Sequence, residues 1–377
     1  MVSLARATLI YEWRRFLPAT LAVAFAGLLV LVSLALLLGM FGTVAVYIEK
    51  SGADLWVGYR DTPSVDLGRG IATSNEVFLR MHPQVQSVEP YLWTTADWRR
   101  PDGQAVSGFV IGVDTRADGL TFNRLLTSAQ RAALEEPDTV IIDVADLRKL
   151  GVRVGERAEL NRRSVKVIDA VRGIRAIGGA NILASLATAR YVDPDLKAND
   201  GYAAYLLVKL RNPDSALAVR DELQPHGTFR PYTVWTAPEF SEQSQTYWLL
   251  ESGAGTGVLF SAALGFLVGV VITSQTLMAA IASSVREYAA LRALGVSLQS
   301  LRSIVIEQSF WIGLVGLCIT AAGTAAVWAI AYANYVAFAA PLWAIVTTGV
   351  LIMVIAGGSG LLALRALTRA EPATLLR

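Results

Sequence analysis

The 377-residue chain has one cysteine, two histidines and five lysines, and each scarcity removes a class of function. Cys318 stands alone within an apolar run, so a disulfide framework and a thiolate metal site are both excluded. His82 and His226 are isolated, with no His-x-x-x-His spacing and no neighbouring cysteine; they read as surface residues rather than metal ligands. None of the lysines follows a glycine, so no Gly-x-x-x-x-Gly-Lys-Ser/Thr loop exists to cradle a nucleotide phosphate. No serine sits in a Gly-x-Ser-x-Gly elbow, and the scattered carboxylates form no acid–base pair. Catalysis by this chain has little support, and no cofactor or metal is expected in it.

Acidic residues are nearly missing from the apolar stretches as well. Carriers coupled to protons or ions need ionisable groups near mid-bilayer. The one candidate is Glu307, close to the inner end of the third apolar run, where a structural pairing with Arg302 or Arg286 is the stronger reading. Secondary transport is therefore disfavoured.

What the chain has in excess is apolar surface: 54% hydrophobic residues, gathered into runs, with a mean hydropathy of +0.45. That clustering marks a membrane protein. Residues 17–46, 253–283, 303–331 and 342–364 each exceed the roughly 20 residues that a spanning helix needs. The first run follows Arg6, Arg14 and Arg15, but it is far longer than the roughly 7–15 residues of a signal-peptide core and reads as a retained anchor. Residues 1–16 read either as an amphipathic helix on the inner surface, with Pro18 turning the chain into the membrane, or as simple flanking charge.

Charge then sets the expected topology. Outside residues 47–253 nine arginines stand against four acidic residues, a balance of +5, whereas inside that segment 24 basic residues stand against 27 acidic ones, a balance of −3. The arginines fall in the N-terminus, in 284–302 and in the tail 365–377, which the positive-inside rule makes cytoplasmic. The expectation is an α-helical membrane protein with four transmembrane helices, both termini inside, and one large exported α/β domain over 47–252 between helices 1 and 2. About 200 residues suffice for a core of its own. Strand patterns cover 106–113, 139–143, 165–171 and 202–210, and capped helices 128–135 and 213–223. Two sub-lobes are expected, with 151–171 as a small β-rich insertion. Trp56, Trp93, Trp98 and Trp235 are compatible with contact to an amphiphile and equally with core packing; Trp13, Trp248, Trp311 and Trp343 fit an interfacial belt.

Two connections carry the mechanics. From about residue 238 a polar stretch enters the second apolar run without a proline; a continuous helix to 284 would be roughly 70 Å long against about 30 Å of hydrocarbon. Such a rod would join the cytoplasm to the exported domain, with Gly253, Gly255 and Gly257 offering a bend. At its inner end lies a charged elbow, 284–302, with a helix stop at Gly295 and an N-cap at Ser297. Gly265 and Gly269 form a Gly-x-x-x-Gly pair in the second run and are candidates for a dimer interface.

The elbow sequence Arg286-Glu287-Tyr288-Ala289-Ala290-Leu291-Arg292-Ala293-Leu294-Gly295, with Ile306-Glu307-Gln308 after it and Arg369-Ala370-Glu371-Pro372-Ala373-Thr374-Leu375-Leu376-Arg377 at the end, resembles the signatures of FtsX/MacB-type ABC transporter permeases. Ala53-Asp54-Leu55, Ile111-Gly112-Val113-Asp114, Tyr247-Trp248 and Gly358-Ser359-Gly360 are similar to the DevC branch, the permeases of DevBCA-type exporters. The resemblance implies the type VII ABC (MacB-like) permease fold in a bacterial inner membrane, with the α/β domain in the periplasm. It implies a homodimer that binds two copies of an ABC ATPase, which hold the ATP and Mg, through Arg286, Glu287, Tyr288, Leu291, Arg292, Leu294 and Gly295. A periplasmic adaptor and an outer-membrane duct would complete a tripartite efflux path for lipid-like or amphiphilic cargo met in the periplasm or outer leaflet. Membrane lipid is an expected partner and nucleic acid is not. An FtsX-like regulator of a peptidoglycan hydrolase and a lipoprotein-releasing permease are the alternatives.

Overall fold

The computed structural model describes residues 4–175, 178–225, 231–283 and 294–369. The helices in chain order are α1 (Leu4–Tyr11), α2 (Trp13–Gly42), α3 (Val46–Glu49), α4 (Asn75–Arg80), α5 (Ser128–Ala133), α6 (Leu147–Leu150), α7 (Leu186–Val192), α8 (Pro194–Ala198), α9 (Ala216–Leu223), α10 (Ala237–Thr246), α11 (Gly253–Ser283), α12 (Leu298–Ala333) and α13 (Leu342–Arg369). The strands are β1 (Leu55–Gly58), β2 (Ile71–Ala72), β3 (Val85–Arg99), β4 (Ala105–Val113), β5 (Thr139–Asp143), β6 (Arg157–Leu160), β7 (Arg163–Val171), β8 (Ala180–Ser185), β9 (Tyr202–Ala203), β10 (Tyr205–Leu210) and β11 (Thr233–Thr236). They fall into two units: Met40–Gly255, and Met1–Gly39 with Thr256–Arg377.

The α/β unit is organised by β3, which is 15 residues long and serves two assemblies. Its first half pairs antiparallel with β10, continuing to β1 and β11 in an open layer. Its second half pairs with β4, and the order then runs through β8, β5, β7 and β6. Trp98 and Arg99 of β3 also pair with Leu160 and Glu159 of β6, which closes the six strands into a barrel. Residues 151–171 are therefore the segment whose β6–β7 hairpin completes this ring. Ala96, Trp98, Val110, Val140, Ile142, Leu160 and Val167 form one buried cluster, and the Trp98 indole donates to the Leu150 carbonyl at 3.0 Å.

In the open layer the side-chain period of two feeds two cores at once. Leu55 and Val57 of β1 join Val88, Leu206, Val208 and Val219 on one face, while Trp56 between them enters an aromatic cluster on the other. That cluster brings Trp56 within 5.3 Å of Tyr91 and 5.4 Å of Tyr205, ring centre to ring centre, and Phe240 stacks on Trp235 at 4.5 Å. Trp56, Trp98 and Trp235 are buried and Trp93 stacks on Phe109 at 5.0 Å, so these four tryptophans serve the core. Thr127 caps α5 with a reciprocal Gln130 as expected, whereas the capped helix expected over 213–223 is split: Asn212 accepts from the Asp214 amide at a 3-10 turn, Pro213–Ser215, and α9 follows without a side-chain cap.

Among the described residues of the other unit, four helices are long and apolar enough to cross a membrane: α2, α11, α12 and α13. The chain bends at Glu12 rather than at Pro18, which lies inside α2. Pro18 is tolerated there because the only intrahelical acceptor it deprives is close to the helix start. α2 and α12 run side by side in one direction, with Val23 against Gly316 and Leu28 against Gly323. A methyl at position 316 would lie 2.6 Å from a Val23 methyl, so the missing side chain sets the helix spacing.

Candidate functional site

Of the elbow residues, Arg286, Glu287, Tyr288, Leu291 and Arg292 lie outside the described residues. From Leu294 onward the chain turns a tight corner. Leu294 is 82% exposed, and Gly295 has φ of +93°, a conformation that L side chains rarely adopt. Ser297 turns the chain into α12, its Oγ accepting from the Ser300 amide at 3.2 Å. Beside this corner, Val296 packs on a cluster of Phe16, Ala19 and Val23 from α2 with Leu301, Val305 and Ile312 from α12. The corner is thereby packed against the first turns of α2 and α12. Glu307 sits half-buried on α12, next to buried Gln308 and Ser309.

Gly265 and Gly269 face α2 of the same chain. Their missing side chains accommodate Leu29, whose Cδ2 would lie 2.6 Å from a Cβ at 265, and Ala26, whose Cβ would lie 2.9 Å from one at 269. The close approach expected of a dimer interface is used within the chain, because α2 supplies small and branched side chains opposite both glycines.

The two segments by which the α/β unit continues into the apolar helices are fastened to each other. Glu49, ending α3, accepts from Ser241 Oγ and from Gln245 Nε2 of α10, both at 3.1 Å. The Ala237 amide donates to the Asp54 carbonyl at 2.9 Å, and Gln243 donates to the Thr62 carbonyl at 2.8 Å. Phe240 and Tyr47 carry the same two segments into the aromatic cluster, Tyr47 also donating to Asn181 at 3.0 Å. Burial pushes the Tyr47 phenol well above its ordinary range, so it remains a donor at any physiological pH.

The rod expected from 238 to 284 is broken at its outer end. After α10 the helix widens into a π-turn, Tyr247–Glu251, and Ser252 then takes an extended conformation with ψ of 141° before α11 begins. The Trp248 indole is held by Asp66 at 3.0 Å, and the Gly255 amide donates to Ser252 Oγ at 3.2 Å. A Cβ on Gly255 would lie 2.1 Å from the Trp248 carbonyl oxygen, so the fold over this bend requires glycine. Sequence reasoning found the glycines but not the π-turn or the Glu49 clasp, which joins residues almost two hundred positions apart.

A cleft of about 900 Å³ opens between these same segments, walled by Ile48, Pro213, Leu217, Pro238 and Leu249. Glu49, Asp54, Asp214 and Glu242 line it together with Arg124. Asp54 is paired with Lys209 at 3.1 Å. Deeper in the unit, Glu89 is buried and accepts from the Thr121 amide and hydroxyl at 3.1 and 2.7 Å and from the Leu120 amide. Burial raises its pKa above the usual carboxylate value, against the pull of those donors. His82, expected at the surface, pairs there with Glu222 at 2.8 Å, and His226 lies outside the described residues.

Residues 16–226, more than half of the chain, match the model of the MacB-like periplasmic core domain, and residues 259–372 match that of the FtsX-like permease C-terminal domain. The chain belongs to the FtsX/MacB permease family. Two solved structures are similar to part of it. The periplasmic region of MacB from Actinobacillus actinomycetemcomitans is 13% identical, with a TM-score of 0.36, over 52% of this chain and 94% of that one. The extracellular domain of the noncanonic ABC-type transporter YknZ from Gram-positive bacteria is 16% identical, with a TM-score of 0.32, over 49% and 99%. No curated protein matches. The permease thus has the MacB-like architecture, a periplasmic α/β domain joined to several apolar helices. It is a non-catalytic subunit, and its family implies an ABC ATPase as partner.

Proposed function

We propose that this permease is the inner-membrane subunit of an ABC-type exporter that carries ATPase-driven motion to its periplasmic domain. The observation that supports this most directly is the clasp of Glu49 with Ser241 and Gln245, which makes the two membrane-leading segments of the α/β unit a single rigid piece. Four spans with both termini inside bring the elbow, 284–302, to the ATPase. Arg286, Glu287, Tyr288, Leu291, Arg292, Leu294 and Gly295 form the ATPase contact. Closure of the ATPase pair displaces the corner, α11 and α12 transmit the displacement, and the bend at Ser252–Gly255 converts it into rotation of a stiff domain. The working unit is a homodimer. Because Gly265 and Gly269 are covered by α2, its contact lies on the exposed stripe Phe260, Leu264, Leu267 and Val271 of α11. Lipid-like or amphiphilic cargo is expelled through a periplasmic adaptor and an outer-membrane duct.

Copurification from crosslinked membranes tests this reading. An ATPase, an adaptor with a long helical hairpin and a duct are the expected partners; recovery of a peptidoglycan hydrolase in place of adaptor and duct would replace export by an FtsX-like regulatory function. The elbow is tested by Glu287→Lys and Leu291→Asp. Each should abolish ATP-driven transport while membrane insertion stays normal, and full transport with normal ATPase affinity in both variants would refute the contact.

A further inference from the structure

The membrane unit carries a groove of about 540 Å³ that the transmission of motion does not use. One wall is formed by α1 and the start of α2, through Ile10, Trp13 and Leu17, and the other by α12, through Trp311, Val315 and Ile319. The three α12 residues are spaced i, i+4 and i+8, so they line one face over about 12 Å. That length is close to one leaflet of a hydrocarbon core of about 30 Å.

The chemistry of the lining selects the occupant. Thr20 carries the groove's single side-chain hydroxyl, and it donates to the Phe16 carbonyl of its own helix at 3.1 Å. The remainder is aliphatic or aromatic, which suits an alkyl chain and gives a polar molecule few partners. One end is different. Trp13 lies at the beginning of α2, and the Arg14 guanidinium lies over its ring, 5.6 Å from the centroid. Arg15 is bound to Glu12 at 2.6 Å, whereas exposed Arg14 has no acidic partner among the described residues. A tryptophan with a free cation beside it, at the end of an apolar groove in a membrane-spanning unit, matches the boundary between acyl chain and anionic headgroup.

We propose that this groove seats one acyl chain of an anionic phospholipid, with the phosphate held by Arg14. The lipid would brace α1 and α2 against α12, the helix that leaves the elbow. This site does not depend on the export reading, since it concerns the resting chain without ATPase or cargo.

The test uses the full chain purified in maltoside detergent, exposed to phosphatidylglycerol or phosphatidylcholine and examined by native mass spectrometry. One phosphatidylglycerol per chain should be retained, with a preference over phosphatidylcholine of about fivefold for a single basic contact. Arg14→Gln, a change at an exposed position that leaves the fold intact, should bring the two lipids to parity. Val315→Trp, which fills the groove, should remove the retained lipid of either kind. Equal retention of both lipids by the unaltered chain would overturn the headgroup assignment, and undiminished retention in Val315→Trp would mean annular lipid only. Displacement of the lipid by inorganic phosphate would show that the cation, not the groove, does the binding.

Discussion

In the α/β unit, buried polar groups reach across the fold: Glu89 of β3 holds the Leu120–Thr121 backbone, and Asp143 of β5 takes the amides of Gly173 and Ile174 at 2.9 Å. In the membrane unit, hydroxyls of the described residues turn back on their own helix, as Thr20 does to Phe16 and Thr347 to Trp343, four residues away. Bonds between helices include Thr320 to the Ala24 carbonyl at 3.1 Å and Ser274 to Ser359 at 2.8 Å. The first pattern fixes register, because moving any strand would strip buried donors and acceptors of partners. The second brings apolar helices into contact through small side chains, as at Gly316 against Val23 and Gly323 against Leu28. A domain cross-braced by buried polar bonds, and helices packed through small side chains, are what the proposed transmission of motion requires.

The sharpest way to break this contrast is to remove a side chain at the centre of the aromatic core of the α/β unit. Trp56→Ala should cost about 3–5 kcal/mol, because the fully buried indole contacts Tyr91, Tyr205 and Phe240. Denaturant unfolding of the full chain in detergent, followed by the near-ultraviolet signal of the α/β unit, measures it. A loss below about 1 kcal/mol would mean that the aromatic cluster does not hold the unit together. In the membrane unit the matching change adds volume. Gly269→Val forces a side chain against Ala26 and should cost about 1–3 kcal/mol while reducing α2–α11 crosslinking. If it instead separates two copies of the chain without weakening the α2–α11 contact, the glycine face belongs to a dimer after all.

The reach of sequence reasoning follows the same division. The apolar runs and the strands over 106–113 and 139–143 were readable because a length or a two-residue period is a local signal. Barrel closure was not, since it depends on Trp98 and Arg99 meeting Leu160 and Glu159 about sixty residues away, and no local pattern marks that pairing. The same holds for the site. The charged elbow and Gly255 stand out in the sequence, whereas Glu49 looks like any surface acid until α10 folds against α3.

A smaller effect separates the two units by pH. Burial raises the Glu89 pKa, so between its ordinary and its raised value the folded state binds more protons than the unfolded one. Stability therefore falls as pH rises through that window, and the penalty is constant above it. Glu89→Gln should flatten this component, seen as a pH-dependent difference between the two unfolding midpoints. A difference of opposite slope would mean that the donors from Leu120 and Thr121 outweigh burial.

The smallest effect is expected where a hydroxyl bonds one membrane helix to another. Thr320 donates to the Ala24 carbonyl of α2 while lying 3.0 Å from the Gly316 carbonyl of its own helix. Thr320→Val keeps the shape and removes the hydroxyl, and the Ala24 carbonyl stays bonded within α2. The loss should be about 0.6 kcal/mol, the typical value for a polar contact between membrane helices. Detergent unfolding combined with an Ala24–Thr320 crosslinking series measures it. A loss of several kcal/mol would show that directional bonds, not small-residue packing, fix α2 against α12, and the contrast between the two units would disappear.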